Sequence, residues 1–294
     1  MLKKGVVILN INQEVFLEKL NSLIIKSLLY EVSCYPSPGL VSPISNGAHK
    51  DMDYYTFLDS ISVIGPKFRE IAEISMSDIL VSELLNKIRP IGLKIEEAMF
   101  HVTNNINTHK GLIFLMGVIC AATSKAFYEG KPFKEIRNLI KEMTSGLVSK
   151  ELNLKINKKN ETYGEKIFRL YGITGIRGEV EKGLPAVFDY SLPFYMEHKH
   201  LKTNERLYLT LLCIMANCED STLLHRNDIY VLEEVKKRSQ EILNMICYEK
   251  PEIIEEKIFE IDREFSERGI SPGGSADLLA ITVFLDGIKK YFPL

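Results

Sequence analysis

The chain is short of several things, and each shortage removes a class of function. Its 294 residues carry 37 Lys and Arg against 39 Asp and Glu, a formal net charge of −2. No overall field therefore draws it to nucleic acid or to an acidic membrane, and any anion site has to be built locally. Basic tails are absent, and no apolar run reaches the roughly 20 residues of a membrane span. The short run Val6 to Leu9 behind Lys3 and Lys4 lacks the length and the small-residue cleavage site of a signal peptide. Five scattered cysteines, Cys34, Cys120, Cys213, Cys218 and Cys247, include no CxxC pair. An odd set in apolar surroundings reads as reduced thiols rather than a disulfide frame, and points to the cytoplasm. Strand-like alternation is also scarce: only Val6 to Ile11 resembles a strand, and one strand cannot make a sheet.

Helical periodicity fills most of what remains. Leu17, Leu20, Ile24 and Leu28 mark a first helix, and Met52, Phe57, Ile61 and Ile64 a second. Ile91, Ile95 and Met99 mark a third, begun by Pro90. Further helices are expected near 110–128, 133–149, 161–171, 203–218, 228–247, 252–267 and 272–291. With 46% hydrophobic residues the chain can bury a large core. The expectation is an all-α, compact multi-helix protein forming a single helical catalytic domain over residues 1–294, with a mobile loop near 150–161, where Lys and Asn replace apolar residues.

Polar chemistry gathers in five short segments between helices or at their starts. The last is the most telling: Ser271, Pro272, Gly273, Gly274, Ser275, Ala276, Asp277 precede a long apolar run. Ser271 is a natural N-cap and Pro272 a natural first residue, which puts two glycines in the first turn, where amides approach an anion at the positive end of the helix dipole. Asp277, one turn in, suits a metal that bridges to phosphate. The first segment runs from Pro36 to Val41 and from Asn46 through His49, Lys50, Asp51 to Asp53. Its two acids are metal ligands or simply acids favoured by a helix start, and both can meet one metal only if Asp51 is still at the cap. In the second, Asn104 to Gly111, His109 and Lys110 put a cation at a helix N-terminus, where a compensating anion relieves the dipole. The third, Gly172 to Glu181, sets Arg177 among glycines, either for phosphate or for an i, i+4 pair with Glu181. The fourth, Glu219 to Arg226, holds Asp220 and His225, each a ligand, an acid or base, or a cap.

At these residues the chain resembles the triphosphoribosyl-dephospho-coenzyme A synthase family. The matching blocks are Pro38 to Val41; Asn46 to Asp53 with Phe57 to Ser60; Asn107 to Gly111 with Phe114; Gly175 to Glu181; Leu223 to Arg226; and Ser271 to Leu279. Departures fall at Asn104 and Asn105, where small residues are expected, at Ser221 and Thr222, and at Asn227 and Asp228, where glycines are usual.

The resemblance implies an all-helical pentosyltransferase. It moves the 5-triphosphoribosyl group of ATP to the 2'-hydroxyl of 3'-dephospho-coenzyme A, releases adenine, and supplies the prosthetic-group precursor of citrate lyase or malonate decarboxylase for attachment to an acyl carrier protein. Expected roles follow. Asp51, Asp53 and Asp277 hold Mg²⁺ or support it; Lys50, Lys110, Arg177, Arg226 and the stretch Gly273, Gly274 and Ser275 bind substrate; His49, His109, Glu179 and His225 are the candidates for proton transfer. A Mg²⁺-dependent helical hydrolase of ADP-ribosyl or nucleotide bonds and a non-catalytic helical adaptor are the alternatives. No nucleic acid or membrane partner is expected, and a homo-oligomer is left open.

Overall fold

The apolar stripes find one another in a bundle of fifteen α-helices, seen in a computed structural model that describes residues 12–152 and 163–293, apart from the side chains of Tyr163 and His225. In chain order these are α1 (Gln13–Val32), α2 (Tyr54–Ile64), α3 (Phe68–Ser75), α4 (Val81–Val102), α5 (Lys110–Tyr128), α6 (Ile136–Met143), α7 (Leu147–Glu151) and α8 (Tyr163–Tyr171). There follow α9 (Gly175–Glu181), α10 (Leu192–Glu197), α11 (Thr203–Asn217), α12 (Ser221–Arg226), α13 (Ile229–Met245), α14 (Pro251–Arg268) and α15 (Gly273–Ile288). Among the described residues there is no strand, only an isolated bridge between Ser42 and Ser45, so the architecture is all-α as expected. The strand-like stretch Val6 to Ile11 and most of the expected 150–161 loop lie outside the described residues.

Two helices form the centre. α5 and α15 pack against each other and are buried on nearly every side, α1 lies along α15, and α3, α4 and α6 flank α5. A helix apolar all round belongs in a core or a membrane. α5 is the one described helix long and apolar enough to cross a bilayer by length and composition, and 78% of its apolar window is buried inside the protein. Its single buried charge is compensated: Lys125 Nζ donates to the Ser77 carbonyl at 2.6 Å and meets Glu129 at 3.0 Å.

Four expected boundaries move: the second helix begins at Tyr54, behind the Asp53 cap, and leaves Met52 outside it, and three others shift for visible reasons. The third helix does not begin at Pro90 but runs through it from Val81. An interior proline forfeits one backbone bond and costs about 3 kcal/mol, which the buried stripe Leu84, Ile88, Ile91, Ile95 and Met99 offsets by packing. The helix expected over 133–149 breaks after Met143, because the Thr144 hydroxyl donates to the carbonyls of Ile140 and Val180 and Gly146 turns left-handed at φ 74°. α15 begins at Gly273 with Pro272 at the cap position, so Ser271 is not its N-cap; the Ser271 hydroxyl is joined to His49 instead.

Candidate active site

The five polar segments converge. Gly39, at φ 70°, lies so close to the Ile270 carbonyl that any Cβ would collide with it, and its N–H donates to Asp262 Oδ1 at 2.9 Å. This fastens the first segment to the run into α15. His49 Nε2 and Ser271 Oγ, 2.9 Å apart, tie the same two segments again. Gly111 in the first turn of α5 abuts the Asp277 carboxylate, joining the second segment to the fifth, and a side chain at 111 would displace that carboxylate. Asp220 joins the fourth to the fifth, since its carboxylate accepts the amides of Gly274 (3.2 Å) and Ser275 (2.8 Å) and the Ser275 hydroxyl (3.0 Å). The amides expected to face phosphate at the start of α15 thus face a carboxylate of the protein.

Two cavities open beside these contacts. The larger, about 350 Å³, has an apolar floor that includes Ile88 and Phe114 and carries Arg89 and Glu96 from α4, Lys110 and Gly111 from α5, Glu151 from α7 and Arg177 from α9. Lys110 Nζ bonds Glu96 at 2.6 Å, and Arg177 Nε bonds Glu151 at 2.6 Å rather than Glu181, which accepts the Val148 amide instead. The smaller, about 90 Å³, is lined by Glu179, Asp220, Gly274 and the π-helical turn Ala186–Ser191 through Ala186 and Tyr190. Ile176 lines both. Lys110 and Arg177 therefore share one cleft, and Glu179 and Gly274 share the cavity next door.

The acids differ in their surroundings. Asp277 is half-buried, and no hydrogen-bond donor among the described residues reaches its carboxylate; burial, with Glu31 and Asp220 nearby, holds it well above the usual carboxylate range. Glu31 on α1 is buried with one oxygen unpartnered, and burial pushes it up to about 8. Burial also raises Glu179, although its Oε1 takes the Ala186 amide at 2.7 Å. Asp53 instead sits at the N-cap of α2 in a reciprocal capping box with Thr56, which holds its carboxyl below the usual range. Asp51 and Lys50 are exposed, and Asp51 reaches only His49, at 3.8 Å. Asp51, Asp53 and Asp277 do not form one cluster, and among the described residues no three His, Cys, Asp or Glu side chains stand ready as a metal cage.

The histidines separate similarly. His49 is largely covered, and burial, then Arg226, keeps its imidazole below the ordinary range, while Asp51 opposes them. Arg226 is exposed, and its charge acting on His49 places the fourth segment beside the first. His109 is 2% exposed, with Nδ1 against Ser60 Oγ (2.7 Å) and Thr108 Oγ1 (3.1 Å), and Phe57 edge-on at 4.9 Å. Burial takes its pKa down to about 3, and its buried Nε2 has no hydrogen-bond partner among the described residues. The side chain of His225 lies outside the described residues.

Four charged residues of this region carry no sequence signal of their own: Arg89 and Glu96 lie on a helix whose Pro90 reads as a start, Glu151 falls in the stretch expected to be a loop, and Glu31 sits near the end of the first apolar helix. The departures at Asn104 and Asn105 have a plain cause: both residues are left-handed, at φ 53° and 66°, where asparagine is the best substitute for glycine.

The structure thus defines an all-helical protein whose larger cleft carries Arg89, Lys110 and Arg177, each paired with a glutamate, and whose acids Glu31 and Asp277 are raised by burial. Comparison with known sequences supplies the particular family. The profile of the CitG family, described as ATP:dephospho-CoA triphosphoribosyl transferase, matches residues 17–294. A probable 2-(5''-triphosphoribosyl)-3'-dephosphocoenzyme-A synthase of Vibrio cholerae is 38% identical over 274 residues, covering 91% of this chain and 87% of that protein. Its namesake in Streptococcus mutans is 34% identical over 290 residues, covering 93% and 97%. Protein CitXG of Leuconostoc mesenteroides is 36% identical over 265 residues, covering 88% of this chain and 56% of that protein. No solved structure matches. The chain belongs to the ATP:dephospho-CoA triphosphoribosyl transferase family, and it is a transferase.

Proposed function

We propose that the family's reaction runs across the two cavities that meet at Ile176. That reaction transfers the 5-triphosphoribosyl group of ATP to the 2'-hydroxyl of 3'-dephospho-coenzyme A and releases adenine. The bond from ribose C1' to the adenine nitrogen breaks, a bond from C1' to the coenzyme's 2'-oxygen forms, the hydroxyl loses a proton, and adenine departs with one. The single observation that carries the reading is the placement of Lys110 and Arg177 in one cleft, with Glu179 just beyond its wall.

The triphosphate belongs with the cations. Lys110 and Arg177 offer charge-assisted bonds to its oxygens once their own carboxylates yield, and Gly111 leaves that end of the cleft bare. Asp277, abutting Gly111, has unspent acceptor capacity and a surplus of negative charge around it. This fits a Mg²⁺ ion that arrives on the phosphates, because Mg²⁺ is commonly held by one or two carboxylates plus substrate oxygens and water. Glu31 is the second carboxylate of that place; Asp51 is too far out on the surface and Asp53 is spent on its cap. When bound, the metal would neutralise charge on the triphosphate.

Proton transfer falls to Glu179. Its carboxyl lines the smaller cavity, and burial gives it more basicity than a solvated glutamate, which suits a base for a hydroxyl. His49, neutral and anchored to Ser271, is the second proton-transfer candidate. His109 acts indirectly, as a buried prop that sets the first turn of α5 and hence Lys110. Free thiols at all five cysteines accord with a cytoplasmic location, and the product is passed on for attachment to an acyl carrier protein in making citrate lyase or malonate decarboxylase.

Adenine release from Mg·ATP, followed with and without 3'-dephospho-coenzyme A, tests the reading. Release that requires the coenzyme, with a product heavier by the triphosphoribosyl group, is expected; release indifferent to it would reject transfer in favour of hydrolysis.

A further inference from the structure

The larger cleft holds a third cation that no motif marks. Arg89 Nη2 bonds Glu151 Oε1 at 2.5 Å while Arg177 Nε bonds Glu151 Oε2 at 2.6 Å, so one carboxylate is clasped between guanidinium groups from α4 and α9. Glu151 is about three-quarters covered and Arg177 nearly as much, and both arginines hold it below the usual carboxylate range against the pull of burial. Lys110 stands in the same cleft, and Gly164 on α8 backs the Arg177 guanidinium so closely that a Cβ would come within 2.8 Å of Nη1. Two planar forks aimed at one small anion from two elements is the arrangement that recognises phosphate.

We propose that Arg89 and Arg177 form a paired seat for a phosphate of the triphosphate chain, and that Glu151 occupies this seat in the free protein as a built-in competitor. The inference deepens the proposed reaction and rests on it. The balance of charge favours exchange: a carboxylate brings one negative charge and two oxygens, whereas a terminal phosphate brings nearly two charges and three oxygens. Both guanidinium groups can then bond it in full. The exchange is also selective, because an anion with a single charge gains little over the resident carboxylate. Glu151 thereby discriminates against weaker anions and keeps two arginines from facing each other unpaired in the empty cleft.

The test uses inorganic tripolyphosphate as the probe, titrated calorimetrically into the full-length protein without coenzyme. Glu151→Gln should bind it about tenfold more tightly than the wild type, and Arg89→Ala about tenfold more weakly. Glu151→Asp, one methylene too short to span both guanidinium groups, should also bind more tightly and serves if the glutamine variant does not fold. The gain from Glu151→Gln should shrink when Arg89→Ala is added, since the two act on one seat. Unchanged or weakened binding in both Glu151 variants, or unchanged binding in Arg89→Ala, overturns the proposal. Failure of the parent reading looks different: adenine release would be independent of dephospho-coenzyme A while the tripolyphosphate ranking survives.

Discussion

Asp220 and Ser275 are joined twice, the carboxylate oxygen Oδ2 accepting both the amide and the hydroxyl of the serine at 2.8 and 3.0 Å. The other oxygen accepts the amides of Thr222 and Leu223 at the start of α12 and that of Gly274 on α15. One side chain thus caps two helices and fixes the wall of the smaller cavity. Asp220→Asn turns an amide group toward those donors, and removing a buried acceptor costs about 1–3 kcal/mol. Urea unfolding should show that loss in midpoint; a variant as stable as the wild type would separate Asp220 from the cap.

Lys110→Ala and Arg177→Lys should each raise the KM for ATP by about tenfold or more, since each gives up a charge-assisted or forked contact. The KM for dephospho-coenzyme A should change far less. Steady-state kinetics with each substrate varied decides this, and equal rises in both constants would move the triphosphate out of the cleft.

Asp277→Asn removes a charge that the fold holds at a cost, so melting without ligand should stay level or rise. The stabilisation given by Mg·ATP, which scales with ligand affinity, should largely vanish. A thermal shift equal to that of the wild type would dissociate Asp277 from the metal.

His109 makes stability depend on pH. Its folded pKa of about 3 lies below the ordinary 6.5, so the stability it contributes is fully present above pH 6.5 and drains away as pH falls toward 3. The loss amounts to at most ~1.4 kcal/mol per pH unit. In His109→Asn, which keeps a polar group for Ser60, the fall in melting temperature between pH 6.5 and 4 should be shallower; an unaltered slope would assign the acid sensitivity to other groups.

The helical class and most helix spans were legible because apolar spacing and caps are local signals: α5 and α11 lie almost where periodicity put them. The five polar segments also come together, but their glycines face protein rather than the anion the sequence suggested: Gly39 abuts the Ile270 carbonyl and Gly111 the Asp277 carboxylate. What stayed hidden depends on partners distant in sequence. Whether Arg177 pairs with Glu181 or Glu151 is decided by where α7 docks, and Ser271 yields its capping role to Asp220 only because α12 arrives alongside. Arg89 sits next to a proline that read as a helix start, so its helix was cut short and its place in the cleft with it. Asp53 carries a motif that serves its own helix equally well, and spacing cannot separate a cap from a ligand.

The most direct measurement is the position of the triphosphate in a crystal of the protein with Mg²⁺, ATP and dephospho-coenzyme A. Phosphate density is expected between Lys110 and Arg177, the metal against Asp277, and the coenzyme's 2'-oxygen facing Glu179 across Ile176. Phosphates lying instead on the exposed face by Lys50 and Asp51, with the larger cleft empty, would contradict it.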